Sequence, residues 1–417
     1  MVARQLLFRG QPVWVIFLAG AFGMVATEAL SAGEAYSALA TNLPVIVFLF
    51  ALFVLAAGLE QAGALEHIAR WVVGRARSPA DLPFVLFVTL GVFSAFIVND
   101  ALVLVGVPLL LGVARRLGVS ARPLLLTLAF SVTVGSVLTP LGNPQNLLVS
   151  LGSGLGSPIS TFFRYLLLPT VVNLLLGGLY VRQLFGPGLS REAGQREPLP
   201  RVAFFPPTTS GNLLWRFPAL VIFPVTVIAM IVLDVLSAIV GGPSVPLYLV
   251  ALGGAVVALI LSPGRTGLFA RVDWSILVLF ASLFVVVAGV VNGGVLAAIE
   301  TSLPIPGPDH ATALPAIILT SLVGSQLVSN VPWVALQIPA LHSLGYSTAT
   351  PWAWVALAAS STLAGNVTLL GAASNLIVVQ QAERAGVRID LREFARIGIP
   401  LAAITVLVLV TSLWVGL

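Results

Sequence analysis

The 417-residue chain has no cysteine and no lysine, and only 8% of its residues carry charge. Without cysteine there is neither a disulfide framework nor a thiolate metal centre. His67, His310 and His342 are scattered over loops and interfaces, so a metal site or an intramembrane Ser-His hydrolase site has no support, and no cofactor is expected. A glycine-rich phosphate loop is also missing, which argues against a pump driven by its own ATPase. What fills the chain is apolar sequence. Hydrophobic residues make up 58%, a share that excludes a soluble globular fold. Runs at 12–30, 43–59, 217–233, 245–261 and 400–417 are each long enough to cross roughly 30 Å of hydrocarbon as a helix. The first run leads straight into the rest of the chain rather than into a small-residue cleavage site, so no cleavable signal is expected.

The net charge of +5 would suit an anionic or nucleic-acid partner, but its distribution gives a simpler account. Arginines lie in loops that one topology puts on a single side: Arg4 and Arg9; Arg70, Arg75 and Arg77; Arg115, Arg116 and Arg122; Arg182 to Arg216; Arg265 and Arg271; Arg384 to Arg396. The alternate loops, 150–160, 241–246, 301–311 and 341–351, contain none, and Arg164 is the one clear exception. The positive-inside rule then expects a multi-pass protein with a cytoplasmic amino terminus and an outer carboxyl terminus; the expected location is a bacterial-type inner membrane. The lipid bilayer is the expected partner and nucleic acid is not; oligomeric state is open, with a homodimer as one expectation.

Two halves of the chain carry the same local design. Phe93-Ser94-Ala95-Phe96-Ile97-Val98-Asn99-Asp100, running on to Pro108, lines up with Gly324-Ser325-Gln326-Leu327-Val328-Ser329-Asn330-Val331, running on to Pro339. The match extends upstream, where Leu52-Phe53-Val54 and Gly58 correspond to Leu283-Phe284-Val285 and Gly289, and downstream to Phe163/Phe394 and Pro169/Pro400. A duplicated membrane chain with polar breaks at matching places is the pattern of a secondary transporter with its site between the halves.

Each copy reads as two crossings, a hairpin, an interrupted span and a final crossing: 13–31, 42–60, 82–117, 122–150 and 161–184, then 245–262, 272–291, 312–343, 352–380 and 394–416. Treating the hairpins as full spans would put Arg115 and Arg116 outside, so the charges favour re-entrant hairpins. The expected fold is therefore an all-α polytopic membrane protein with inverted repeats, each holding a re-entrant helical hairpin and a broken transmembrane helix. Residues 1–184 form the first repeat, 185–215 a cytoplasmic linker rich in proline, glycine and arginine, 216–240 a connecting helix, and 241–417 the second, inverted repeat. Residues 64–77 read as a short amphipathic helix at the headgroups.

The breaks are the most specific signal. Thr139-Pro140-Leu141-Gly142-Asn143-Pro144-Gln145-Asn146 cannot continue an undistorted helix, because the prolines remove donors and clash with preceding carbonyls. In the second copy Thr368, Gly371, Ser374 and Asn375 match Thr139, Gly142, Gln145 and Asn146. Backbone freed at this depth must be buried in protein or line a wet cavity. One expectation is that these side chains only satisfy each other at a kink. The other, favoured by two matching breaks that each follow an asparagine-tipped hairpin, is a binding site built from Asn99, Thr139, Gly142, Asn143, Gln145, Asn146, Ser329, Asn330, Thr368, Gly371, Ser374 and Asn375. Helix ends exposed there offer amide hydrogens to an anion and carbonyls to a cation.

Asp100 is the sharpest single residue, since its counterpart Val331 is apolar and a carboxylate at this depth is costly. Desolvation favours its neutral form, as a proton carrier requires, whereas ligation to sodium would hold it ionised. Alternatively it caps the returning hairpin arm. Glu28, Glu34 and Glu60 lie near membrane faces, and Asp234 sits in the connecting helix as a packing or interface group.

Val98-Asn99-Asp100, the Thr139 to Asn146 break and Ser329-Asn330-Val331-Pro332 resemble the ion transporter superfamily, most closely its ArsB/NhaD branch and the bacterial YbiR-like permeases (a citrate-transporter-like group), over essentially the whole chain. The resemblance implies a transport domain moving against a scaffold in alternating access, in a group that exports arsenite or antimonite, exchanges sodium for protons, or imports carboxylates and other anions. The dicarboxylate branch carries Ser-Asn-Thr at both hairpin tips, and this chain does not. The expected function is proton-coupled export of a small inorganic ion or anion of the arsenite/antimonite type, with Asp100 as the coupling residue for proton or sodium. Alternatives are a sodium/proton antiporter, a sodium-coupled anion or carboxylate transporter and, from another class, a passive channel. No arginine lies near the middle of an expected span, which favours a neutral or singly charged solute.

Overall fold

In lipid every backbone amide must bond within the protein, so apolar runs of this length fold as helices. The computed structural model, described here for residues 13–64, 76, 78–194, 218–241, 245–262, 265–294, 305–369 and 371–416, is helical throughout the described core. The first half comprises α1 (Val13–Ala26), α2 (Ala32–Thr41), α3 (Leu43–Gln61), α4 (Leu82–Ser94), α5 (Asn99–Leu117), α6 (Ala121–Gly135, continued by a 3-10 turn Ser136–Leu138), α7 (Pro144–Gly152) and α8 (Pro158–Gly194). After the connecting helix α9 (Ala219–Val240) come α10 (Leu247–Leu261), α11 (Arg265–Arg271), α12 (Trp274–Asn292), α13 (His310–Val328), α14 (Asn330–Ser343), α15 (Pro351–Ala364), α16 (Ala373–Arg384) and α17 (Leu391–Val415). Seven of the described helices are long and apolar enough to cross a membrane.

One arm of each hairpin is short, although α5 and α13, the other arms, have 19 residues each. α4 has 13 residues and α14 has 14, each about 20 Å of helix against roughly 30 Å of hydrocarbon. α13 and α14 pack on each other across the paired motif, and α4 and α5 both pack on α6. The breaks follow: α6 stops at Leu138 and α7 starts at Pro144, while α15 stops at Ala364 and α16 starts at Ala373.

The halves exchange partners in a twofold manner. α1 packs on α12 and α10 on α3; α7 packs on α14 and α16 on α5; α8 and α17 pack on each other. The centre is formed by α6 and α15, both buried along nearly their whole length, each holding the first arm of its own hairpin. Gly91 and Gly135 let α4 and α6 touch through backbone, since a Cβ at Gly135 would lie 1.9 Å from the Gly91 carbonyl oxygen.

Two boundaries differ from the sequence reading. The first crossing ends at Ala26, and residues 32–41 form a separate helix whose start is a capping box between Ser31 and Glu34. α8 runs unbroken past 184 to Gly194, so the segment assigned to the linker begins as helix. Pro187 is tolerated there, and Gly186 is needed because a Cβ would meet the Ala80 oxygen at 2.8 Å. The proposed amphipathic helix at 64–77 and most of the linker fall outside the described residues. Ion pairs Arg122–Glu393, Arg182–Asp81 and Arg271–Glu60 join arginine-bearing loops at one face.

Candidate functional site

Thr139 and Asn143 are extended at the first break, and α7 restarts with Asn143 as its cap, its Oδ1 accepting from the Asn146 amide at 2.8 Å. The carbonyls left open at the end of α6 are taken up by Asn146, whose Nδ2 lies 2.9 Å from Ser136 O, 3.2 Å from Val137 O and 3.0 Å from Thr139 O. Gly142 sits where a Cβ would come within 2.4 Å of Ser136 O, so no other residue fits. The first hairpin tip docks on this loop: Asn99 N donates to Gly142 O at 2.9 Å and the Thr139 hydroxyl donates to Ala95 O.

In the second break Asn375 Nδ2 donates to Gly365 O at 2.7 Å. Gln326, on α13, bridges hairpin and break, accepting from the Thr368 hydroxyl and donating to Ala364 O, both at 2.7 Å. At the second tip Ser329 has φ +79, a left-handed conformation that side chains rarely adopt and that stores strain where the hairpin meets the break. Asn330 places its Nδ2 3.3 Å from where a Gly365 Cβ would stand.

Thr362 ties the two breaks together. Its hydroxyl accepts from Asn143 Nδ2 at 3.3 Å and Gln145 Nε2 at 3.1 Å, and lies within donor reach of Asn146 Oδ1 and Ala358 O. Both hairpin tips and both breaks thus form one buried polar body. Within it, Thr139, Asn143, Gln145, Asn146 and Thr368 are satisfied by protein partners, as the kink-only reading expects. Asn99 Oδ1, Asn330 Oδ1, Asn375 Oδ1 and Ser374 Oγ are buried without a partner, as are both amide atoms of Asn366 and the Ser325 hydroxyl.

Thr362, Gln326 and Asn366 belong to this polar body although the repeat pattern does not single them out. Thr362 closes the hydroxyl run Ser360-Ser361-Thr362 and has Thr133 as its counterpart, which is the signal that could have found it. Asn366 has only Val137 opposite, so repeat matching hides it.

Asp100 is 5% exposed and does not cap its helix: the cap position is Val98, with no side-chain bond. It lines a cleft of about 30 Å³ shared with Glu60, Arg271 and Asp273. Asp234 does cap, but across helices: its carboxylate accepts from Ile159 N at 3.2 Å and from Ser160 N and Oγ, each at 2.7 Å, holding the start of α8. The counterpart of the Asp100 cleft, between α12 and α14 instead of α3 and α5, is a cavity of about 750 Å³ whose rim carries Glu34 and Asn292, hydrogen-bonded at 3.0 Å.

A family model described as Citrate transporter matches residues 6–360. An uncharacterised transporter of Mycobacterium tuberculosis is 30% identical over 416 residues, covering 96% of this chain and 92% of that protein. A silicon efflux transporter of Oryza sativa subsp. japonica is 28% identical, covering 88% of this chain and 84% of the relative. Among solved structures, the YdaH transporter of Alcanivorax borkumensis, described as having an unusual topology, aligns with a TM-score of 0.63 at 17% identity, over 97% of this chain and 98% of that one; this is a likeness of fold.

Proposed function

The chain belongs to the citrate transporter family, and from that premise we propose that it is a secondary active transporter exporting a small neutral or singly charged oxyacid, of the arsenite and antimonite type, by alternating access coupled to protons. The observation that carries this reading is the set of unpartnered groups at the hairpin tips and second break: uncharged, buried, and including both acceptors (Asn99, Asn330, Asn375) and donors (Asn366). A solute with several hydroxyls both donates and accepts, and would complete such a set without bringing a charge into the core. A citrate-like multivalent anion brings several negative charges and a single hydroxyl donor to a site with no arginine. The large cavity argues the same way, with Glu34 and no arginine among its described lining residues.

Alternating access is supported by the twofold exchange of partners together with the two related openings, one of about 750 Å³ and its counterpart of about 30 Å³. The arginine-bearing face is assigned to the cytoplasm, with the amino terminus inside and the carboxyl terminus outside. The efflux direction is carried over from the relative named for silicon efflux. We keep Asp100 as the coupling residue, placed beside the solute site rather than inside it, and the ArsB/NhaD-like branch as the closest functional comparison. A sodium/proton antiporter is the second reading, because the unpartnered carbonyl oxygens are also ligands for a hard cation.

Thermal shift of the purified protein against arsenite, antimonite, silicic acid, citrate and sodium, each at two pH values, tests the assignment. Stabilisation by an uncharged oxyacid at both pH values is expected. Stabilisation by citrate alone would overturn it, and stabilisation by sodium alone would select the second reading.

A further inference from the structure

The cleft beside Asp100 contains more chemistry than a proton carrier needs. Asp100 lies on the hairpin arm α5, whereas Glu60 lies in the last turn of α3 and Arg271 ends α11. In this structure Arg271 is committed to Glu60, with Nη1 2.5 Å from Oε1. Asp100, only 5% exposed, accepts no hydrogen bond and joins no ion pair among the described residues, although it shares the cleft with that arginine. A buried carboxylate with neither donors nor a counter-ion can remain so only while neutral; once ionised it needs hydrogen-bond donors or a cation, and a guanidinium supplies both. Asp273 cannot help, since it is itself an acid and caps α12, accepting from the Ile276 amide at 3.4 Å and from the Ser275 hydroxyl. Among the described residues, the other elements packed on α5 bring no cation into the cleft. From α16, Gln381 donates to Leu104 O at 3.4 Å, and Glu383 and Arg384 do not line the cleft; from α6, Arg122 is paired with Glu393.

We propose that Arg271 is an exchangeable counter-ion: it pairs with Glu60 while Asp100 carries a proton, and moves to Asp100 when the proton leaves. Arginine suits this, with a long stem, five donors and a permanent charge, and the Glu60 side chain it abandons is 37% exposed and can be hydrated. The cleft of about 30 Å³ has room for a water that takes the proton. The consequence is mechanical as well as electrostatic. Ionised Asp100 ties the hairpin to α11, and protonated Asp100 releases it, so the hairpin is free only when the coupling proton is aboard.

This rests on Asp100 being the coupling residue, and the test separates the two claims. Infrared difference spectra of the full chain in lipid, titrated with pH, follow the stretch of a protonated carboxyl that is lost in Asp100→Asn. Removing the counter-ion in Arg271→Gln should move the midpoint of that band about one pH unit upward, and freeing the counter-ion in Glu60→Gln should move it about as far downward. Arg271→Lys should stay near wild type, and Glu60→Gln carries the test alone where Arg271→Gln does not fold. Shifts in the same direction, or none, would overturn the exchange. A titrating band that survives in Asp100→Asn would overturn the assignment of Asp100 itself.

Discussion

The hydroxyl of Thr362, in the second half, lies 3.2 Å from Oδ1 of Asn146, in the first, across 216 residues of sequence. The same hydroxyl receives the amides of Asn143 and Gln145, so one small side chain satisfies groups from the opposite repeat. Thr362→Val keeps the shape and strands a buried donor, Gln145 Nε2, and a buried acceptor, Asn146 Oδ1, while Asn143 Nδ2 retains Ser136. It should lower stability by about 1–3 kcal/mol, while Thr362→Ser stays close to wild type. Unfolding of the purified variants measures the difference.

Asn146 and Asn330 should separate structure from transport. Asn146 spends its amide on three backbone carbonyls, so Asn146→Ala should lose both melting temperature and flux. Asn330 holds an unpartnered oxygen, and removing an unsatisfied buried acceptor costs the fold little. Asn330→Ala should therefore melt at or above the wild-type temperature and yet lose solute flux in proteoliposomes.

Asp234 is assigned to holding α8, not to proton movement. Asp234→Ala removes three hydrogen bonds to a carboxylate that is 4% exposed and should cost about 2–3 kcal/mol. The pH dependence of transport by the folded fraction should be unchanged, which flux measured at several pH values would show.

Two carboxylates outside the spans respond to acid. Hydrogen bonds from Ser31 hold Glu34 below its ordinary range, and hydrogen bonds from Thr312 do the same for Asp309. Groups lowered on folding lend stability above the unfolded carboxylate range and lose it as pH falls through the folded value. The starts of α2 and α13 should loosen on acidification, and Glu34→Gln with Asp309→Asn should flatten the acid limb of a melting-temperature profile.

The hairpins and breaks were legible because their causes are local. Prolines, glycines and asparagines interrupt apolar runs, and the repeat shows each interruption twice. Other features depend on tertiary approach and leave no local mark. Gly186 and Pro187 read as linker, yet they are helical because α8 lies against Ala80 and its Arg182 pairs with Asp81. The division of the asparagines into satisfied and unpartnered ones depends on Thr362 and Gln326, which arrive from elsewhere in the chain. The cleft of Asp100 brings α3 and α5 of the first half against Arg271 and Asp273 at the α11–α12 corner of the second, an approach that no local pattern marks.

The central claim is coupled transport through Asp100, and the most direct measurement is arsenite movement in proteoliposomes under an imposed pH gradient. Wild-type protein should drive arsenite uphill, and Asp100→Asn should bind it without accumulating it. Undiminished uphill transport by Asp100→Asn, or flux by the wild type that never exceeds equilibrium, would contradict the account.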